Sequence, residues 1–130
     1  MLIFDSSLKT GNTTIDAQHS HLIDLFNKVK FKIDNSENSI GLILEELMDY
    51  ADYHFKTEEE LFTKYNYPKT DEHVIEHKEY IIRVQEFIKL YMKNNIKKDA
   101  IDNFLIEWII FHIKNSDQEY AKYFKEKGIF

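Results

Sequence analysis

IGLILEELMDYADYHFKTEEELFTKY, residues 40–65, carries the clearest structural pattern in the chain. Within it Ile40, Leu44, Leu47, Ala51, His54, Glu58, Leu61 and Tyr65 recur in alternating steps of four and three. Such steps line the inner seam of a helix packed against other helices. Two seam positions that should be apolar hold an imidazole and a carboxylate. Burying these groups unpaired is costly, so they need partners inside the core.

Three further segments repeat the pattern. One runs Ile15, His19, Leu22, Phe26, Val29, Ile33; the next His73, His77, Tyr80, Val84, Phe87, Tyr91; the last Ile101, Leu105, Trp108, His112. Five of the six histidines therefore fall on seams. A single histidine on an apolar face reads as a satisfied core residue. Seam positions are roughly 2 in 7 of a helix, so five of six there by chance is improbable. His21, two residues from His19 and off the seam, is the internal control and is expected at the surface.

The chain has 130 residues, 43% hydrophobic and 15% aromatic, enough for one domain (1–130) with one core. Three glycines and one proline leave little material for turns, as in a few long helices. A net charge of -6 argues against nucleic acid. No apolar run reaches membrane-spanning length and no signal peptide opens the chain, so cytoplasm is the default. No exposed apolar stripe is evident, which favours a monomer. The absence of cysteine excludes disulfides, thiolate metal sites and cysteine nucleophiles.

Residues 1 to about 15 read as an extended arm, with Leu2, Ile3, Phe4 and Leu8 able to pack down. Asp16 is expected to cap the first helix, which runs to about Ile33. The cluster Asp34 to Ser39 is a turn. The second helix spans Ser39 to about Tyr65 and ends at Asn66-Tyr67-Pro68-Lys69. Thr70 or Asp71 caps the third, which ends near Lys93 at Asn94-Asn95. Lys97 to Asp99 leads into the fourth. Short connections imply an all-α, up-down-up-down antiparallel four-helix bundle with an N-terminal arm.

His54 and Glu58 are four apart, as are His73 and His77, so each pair projects from one helix face. His19, His73 and His77 lie early in their helices, while His54, Glu58 and His112 lie late. In an antiparallel bundle those places share one level. Asp117, five residues after His112, falls about 140° around a regular helix and should point away. Yet the seam resumes in phase with it through Tyr120 and Phe124. One residue is in effect inserted, and a π-bulge over Ile113-Lys114-Asn115-Ser116 would turn Asp117 inward. Five imidazoles and two carboxylates exceed the four ligands of one zinc. Two six-coordinate ions offer about twelve positions. If both carboxylates bridge, and an oxide or hydroxide bridges as well, one position stays open. A mixed imidazole and carboxylate set with an open position suits iron bound to a small molecule.

At this point the chain resembles the hemerythrins, in their bacterial single-domain form (bacteriohemerythrins). The matching motifs are Ile15-Asp16-Ala17-Gln18-His19, His54-Phe55-Lys56-Thr57-Glu58-Glu59, Tyr67-Pro68 with His73-Val74-Ile75-Glu76-His77, and residues 108–117 from Trp108 through His112 to Asp117. The resemblance covers nearly the whole chain. It implies a bridged non-haem di-iron centre with an oxo or hydroxo bridge that binds dioxygen reversibly. His73, His77 and His112 would hold one iron, His19 and His54 the other, with Glu58 and Asp117 bridging. Trp108 and Ile109 correspond to pocket-lining positions and Tyr120 to a tyrosine near the centre. One departure is Phe4, where the bacterial pattern often has tryptophan.

The reading is therefore an oxygen carrier, store or delivery protein and not an enzyme. The alternatives are a di-iron enzyme acting on peroxide or nitric oxide, an oxygen or iron sensor, or an iron store. No acid, base or nucleophile constellation stands apart from the ligands. Leu22, Leu47, Ala51, Trp108 and Ile109 are the apolar residues expected around the open position.

Overall fold

The computed structural model describes residues 2–35, 40–93 and 98–130. After a short 3-10 turn at Ser6–Leu8 the described residues form α1 (Thr13–Asp34), α2 (Ile40–Lys64), α3 (Thr70–Met92) and α4 (Lys98–Phe111). A π-helical segment, His112–Asp117, and α5 (Gln118–Glu126) continue α4. The backbone stays right-handed helical at Phe111, Asp117 and Gln118, so α4, the π segment and α5 form one rod. It is the fourth helix of an all-α four-helix bundle. Ser36–Ser39 and Asn94-Asn95, expected as turns, lie outside the described residues.

The helix starts differ from expectation for a local reason. α1 begins at Thr13, and Asn12 caps it, its side chain accepting from Ile15 N at 3.0 Å. Asp16 is not the cap. It sits one turn in, and its carboxylate accepts from Thr10 N (2.7 Å), Thr10 Oγ1 (2.9 Å) and Gly11 N (3.3 Å). There it ties the arm to the positive end of the helix dipole. Neither Thr70 nor Asp71 caps α3. Lys69 occupies the cap position without its side chain capping the helix, and Thr70 Oγ1 donates to Tyr67 O at 2.6 Å. The stop of α2 is as expected. Asn66 takes a left-handed φ of 54°, and Tyr67 N closes onto Phe62 O at 2.9 Å. Asparagine tolerates that conformation, which satisfies a carbonyl at the helix end.

α1 packs between α2 and α4, and α2 between α1 and α3. α3 meets α4 through Tyr80 on Trp108 and Phe87 on Phe104. The apolar interior divides in two. A large cluster includes Leu22, Phe26, Leu44, Leu47, Tyr80, Val84 and Ile109. A small one holds Ile15, Phe62, Tyr67, Tyr120, Ala121 and Phe124. Between them lies a buried polar layer. Near it the α2 seam drifts: Phe62 is fully buried, while Leu61 and Tyr65 are only half-buried. A 3.6-residue turn slips past a strict 3.5-residue repeat in this direction.

The arm docks by Leu8, which is buried, and by a reciprocal pair of bonds. Leu2 N donates to Asn27 Oδ1 (2.9 Å) and Asn27 Nδ2 to Leu2 O (2.8 Å). Leu2 and Phe4 pack on the core, but Ile3 points outward and is 73% exposed. Extended backbone alternates its side chains, so Leu2 and Phe4 face inward and Ile3 cannot.

Candidate metal centre

The polar layer consists of His19, His54, Glu58, His73, His77, His112 and Asp117, all buried. α1 supplies His19, α2 His54 and Glu58, α3 His73 and His77. The fourth rod supplies His112 and Asp117. The spacing of four in α2 and in α3 puts each pair on one face. The five-residue spacing of His112 and Asp117 is accommodated by the π segment, whose wider turn brings both inward. His21 is exposed and its ring lies tilted against Tyr50, with centroids 4.3 Å apart.

The ligand atoms form two groups. Glu58, His73, His77 and His112 make one; His19, His54, Glu58 and Asp117 make the other, with all atoms in each group within 4.8 Å. Glu58 Oε1 lies 3.0 Å from His54 Nε2 and 3.3 Å from His77 Nε2. Asp117 divides its oxygens. Oδ1 is 3.1 Å from His73 Nε2 and 3.0 Å from His112 Nε2, and Oδ2 is 3.0 Å from His19 Nε2. These atoms approach without forming hydrogen bonds: all five Nε2 atoms and all four carboxylate oxygens are buried without such a partner. Ligand atoms about 2.1 Å from one ion and at right angles stand about 3 Å apart. Converging, orphaned donors at that spacing fit metal ions.

The outer nitrogens are braced by residues that the sequence reading did not single out. His54 Nδ1 donates to Gln18 Oε1 at 2.6 Å, and Gln18 Nε2 donates to Thr57 Oγ1 at 3.2 Å. His77 Nδ1 donates to Glu59 Oε2 at 3.0 Å and His112 Nδ1 to Glu76 Oε1 at 3.2 Å. Ser116 Oγ donates to both Glu76 oxygens. A proton on Nδ1 leaves the Nε2 lone pair free to face the centre. Each brace flanks a seam residue of its own helix and reaches the imidazole of the next helix. That adjacency was the available signal, and the run Glu58-Glu59-Glu60 obscured it.

Charge follows the same geometry. Burial pushes the Glu58 carboxyl up, as does the Asp117 charge, but His54 and His77 outweigh both and hold it well below the usual range. Asp117 is likewise held low against its burial, by His112, His19 and His73. Burial works to lower the imidazoles of His19, His54, His77 and His112. It prevails at His54, whereas the carboxylates prevail at His19 and His77, which are raised. Burial is outweighed at His112 too, where Asp117 and Glu76 push the ring up to about 10.

A small cavity touches one side of the layer. Its volume of about 10 Å3 is room for roughly one water-sized molecule. His19, His54 and His112 border it with Leu22, Ala51, Phe55, Trp108 and Ile109. Trp108 stacks on His112 at 4.3 Å and Phe55 on His77 at 3.9 Å. Leu47, expected at the rim, is buried deeper in the large cluster and does not line the cavity. Phe26, Phe55, Tyr80 and Ile113 line it without having been singled out for that role. Tyr120 stands on the other side of the layer, 5.5 Å from the His73 ring and 5.1 Å from Phe62.

Fold and site define a four-helix bundle built around a buried histidine and carboxylate cluster able to hold metal. The chain belongs to the hemerythrin family: residues 10–124 match the family described as "Hemerythrin HHE cation binding domain". It is 30% identical over 122 residues to a bacteriohemerythrin of Stenotrophomonas maltophilia, covering 93% of this chain and 80% of the relative. A hemerythrin-like protein of Naegleria gruberi is 33% identical over 117 residues, 90% of this chain and 88% of its own. A crystal structure of wild-type hemerythrin superposes with a TM-score of 0.77 at 27% identity, covering 85% of this chain and 86% of that one. The family implies non-haem iron, and the match is to a cation-binding domain rather than to an enzyme. Among the described residues no helix is long and apolar enough to cross a membrane.

Proposed function

We propose that the seven buried side chains hold two iron ions in a bridged non-haem centre, and that the protein binds dioxygen reversibly as a carrier, store or delivery protein. The observation that supports this best is the pair of ligand groups sharing Glu58 beside a cavity for one small molecule. His73, His77 and His112 would hold one iron and His19 and His54 the other, with Glu58 and Asp117 shared. The split of the Asp117 oxygens between the groups favours that sharing.

Bound iron would supply the reducing electrons and the open coordination position that dioxygen requires. The chain supplies the rest. Gln18, Glu59 and Glu76 hold three imidazoles in the tautomer that faces the metal. Phe55, Trp108, Leu22 and Ile109 exclude water, which slows loss of the bound molecule to solvent. An imidazole-rich set carries less negative charge than a carboxylate-rich one and so stabilises highly charged metal less. That favours binding over cleavage of dioxygen. The bacteriohemerythrin and hemerythrin-like names of the relatives agree with this reading. The chain is further proposed to be a cytoplasmic monomer.

Anaerobic loading followed by elemental analysis is expected to give two irons per chain. Reduced protein should be nearly colourless, colour in air and bleach when argon removes the oxygen. One zinc or one iron at full occupancy would overturn the di-iron assignment. Direct oxidation with no reversible coloured state, or steady oxygen consumption with a reductant, would favour an enzyme acting on peroxide or nitric oxide.

A further inference from the structure

Apart from the seven candidate ligands, two buried side-chain atoms among the described residues lack a hydrogen-bond partner: the hydroxyls of Tyr80 and Tyr120. Their settings differ. Tyr120 has carboxylates beside it: burial and the charges of Glu58 and Asp117 hold its phenol well above the usual range. Tyr80 has none. Its ring is surrounded by Trp108 (4.2 Å between centroids), Phe55 (5.8 Å), Phe104 (6.2 Å) and Phe26 (6.4 Å). Three of these present only carbon, and the indole nitrogen of Trp108 donates and cannot accept.

Tyr80 is 1% exposed and lines the small cavity. It stands three residues after His77, and long helical side chains lean toward the helix N-terminus, here toward His77. The remaining polar atoms at the cavity belong to the candidate ligands His19, His54, His112 and Asp117, and to the Trp108 donor. A buried hydroxyl left unpaired destabilises the fold. Phenylalanine would fill nearly the same space without that cost, so the hydroxyl calls for a partner that the protein does not supply.

We propose that the Tyr80 hydroxyl donates a hydrogen bond to the small molecule held in this cavity, making Tyr80 a residue that sets ligand preference. This rests on the reading of the layer as an iron centre. Burial raises the phenol above its usual range, so it stays protonated and donates without giving up its proton. The site then favours molecules that gather negative charge on their outer atom over molecules that do not. In an apolar cavity such a bond is stronger than in water.

The test compares wild-type and Tyr80→Phe proteins, iron-loaded and oxidised, with azide as the probe. Optical titration should show azide binding roughly tenfold weaker in the variant. The infrared band of bound azide should shift on moving wild type from H2O to D2O, and the shift should vanish in Tyr80→Phe. Metal-free Tyr80→Phe should melt no lower than metal-free wild type, because the hydroxyl has no protein partner to lose. Equal azide affinity and equal deuterium shift would overturn the inference, as would iron-loaded wild type that binds no azide. A variant that melts lower with unchanged azide affinity would place the hydroxyl in the fold and likewise overturn it. Failure of the iron reading shows separately, as wild-type protein that takes up no iron, and takes this inference with it.

Discussion

At the scale of single residues, His112 carries the most charge information. In the metal-free protein its pKa is pushed up to about 10, against an unfolded value of about 6.5. A raised value means that its protonated form adds stability fully present below about pH 6.5 and lost as pH rises through about 10. Glu58 and Asp117 act in the opposite sense. Their ionised forms add stability above about pH 4 that is lost as pH falls through their lowered folded values. Urea midpoints of chelator-treated protein should therefore be highest between about pH 5 and 6.5 and fall toward pH 10. Iron held as proposed would take the place of the His112 proton, so loaded protein should lack the alkaline decline. A midpoint that stays level to pH 10 in metal-free protein would contradict the charge assignment. Substitution separates the histidines further. His21→Ala should leave iron content and spectrum unchanged, His54→Ala should lose iron, and Gln18→Ala should weaken iron binding about 10- to 100-fold. Equal loss in His21→Ala and His54→Ala would refute the seam argument.

At the scale of elements, the π segment decides whether the fourth rod can serve the layer twice. A regular helix turns about 100° per residue, and the extra residue between His112 and Asp117 is absorbed by His112–Asp117. Inserting one alanine after Asn115 should carry Asp117, Tyr120 and Phe124 off the inner face. At least half of the bound iron should be lost, and the small cluster around Phe62 should loosen. Deleting the exposed Asn115 is different, since it leaves a four-residue spacing like that of His54 and Glu58. That variant should keep its iron. Elemental analysis and circular dichroism of both variants provide the comparison. A deletion as damaging as the insertion would show that the wide turn itself, and not the phase, is required.

At the scale of the whole molecule, the polar layer separates the two apolar clusters, so metal occupancy should govern the stability of the entire bundle. Without metal, nine converging Nε2 and carboxylate oxygen atoms lack hydrogen-bond partners in the interior. Metal binding to the folded state alone stabilises by about 4 kcal/mol when free iron is a thousand times its dissociation constant. For a chain of this size that raises the melting temperature by on the order of 10 °C. Calorimetry of chelated and loaded protein measures the difference. Superimposable melting curves would mean that the metal contributes nothing to holding the bundle together.

The helices, their order and the residues of the polar layer were legible in the chain before any folding, because each rests on local periodicity. Steps of three and four place a side chain on a face whatever the neighbours are. Even the π segment was legible, since the phase of Tyr120 and Phe124 exposes the extra residue before Asp117. Cap residues at Asn12 and Lys69 were not, because several polar residues compete at each start and backbone angles choose among them. The remaining contacts came from packing between helices. Gln18, Glu59 and Glu76 brace imidazoles on neighbouring helices, and Phe26, Phe55 and Tyr80 meet at one cavity. Such contacts depend on how helices face one another across the bundle, which no repeat along a single helix encodes.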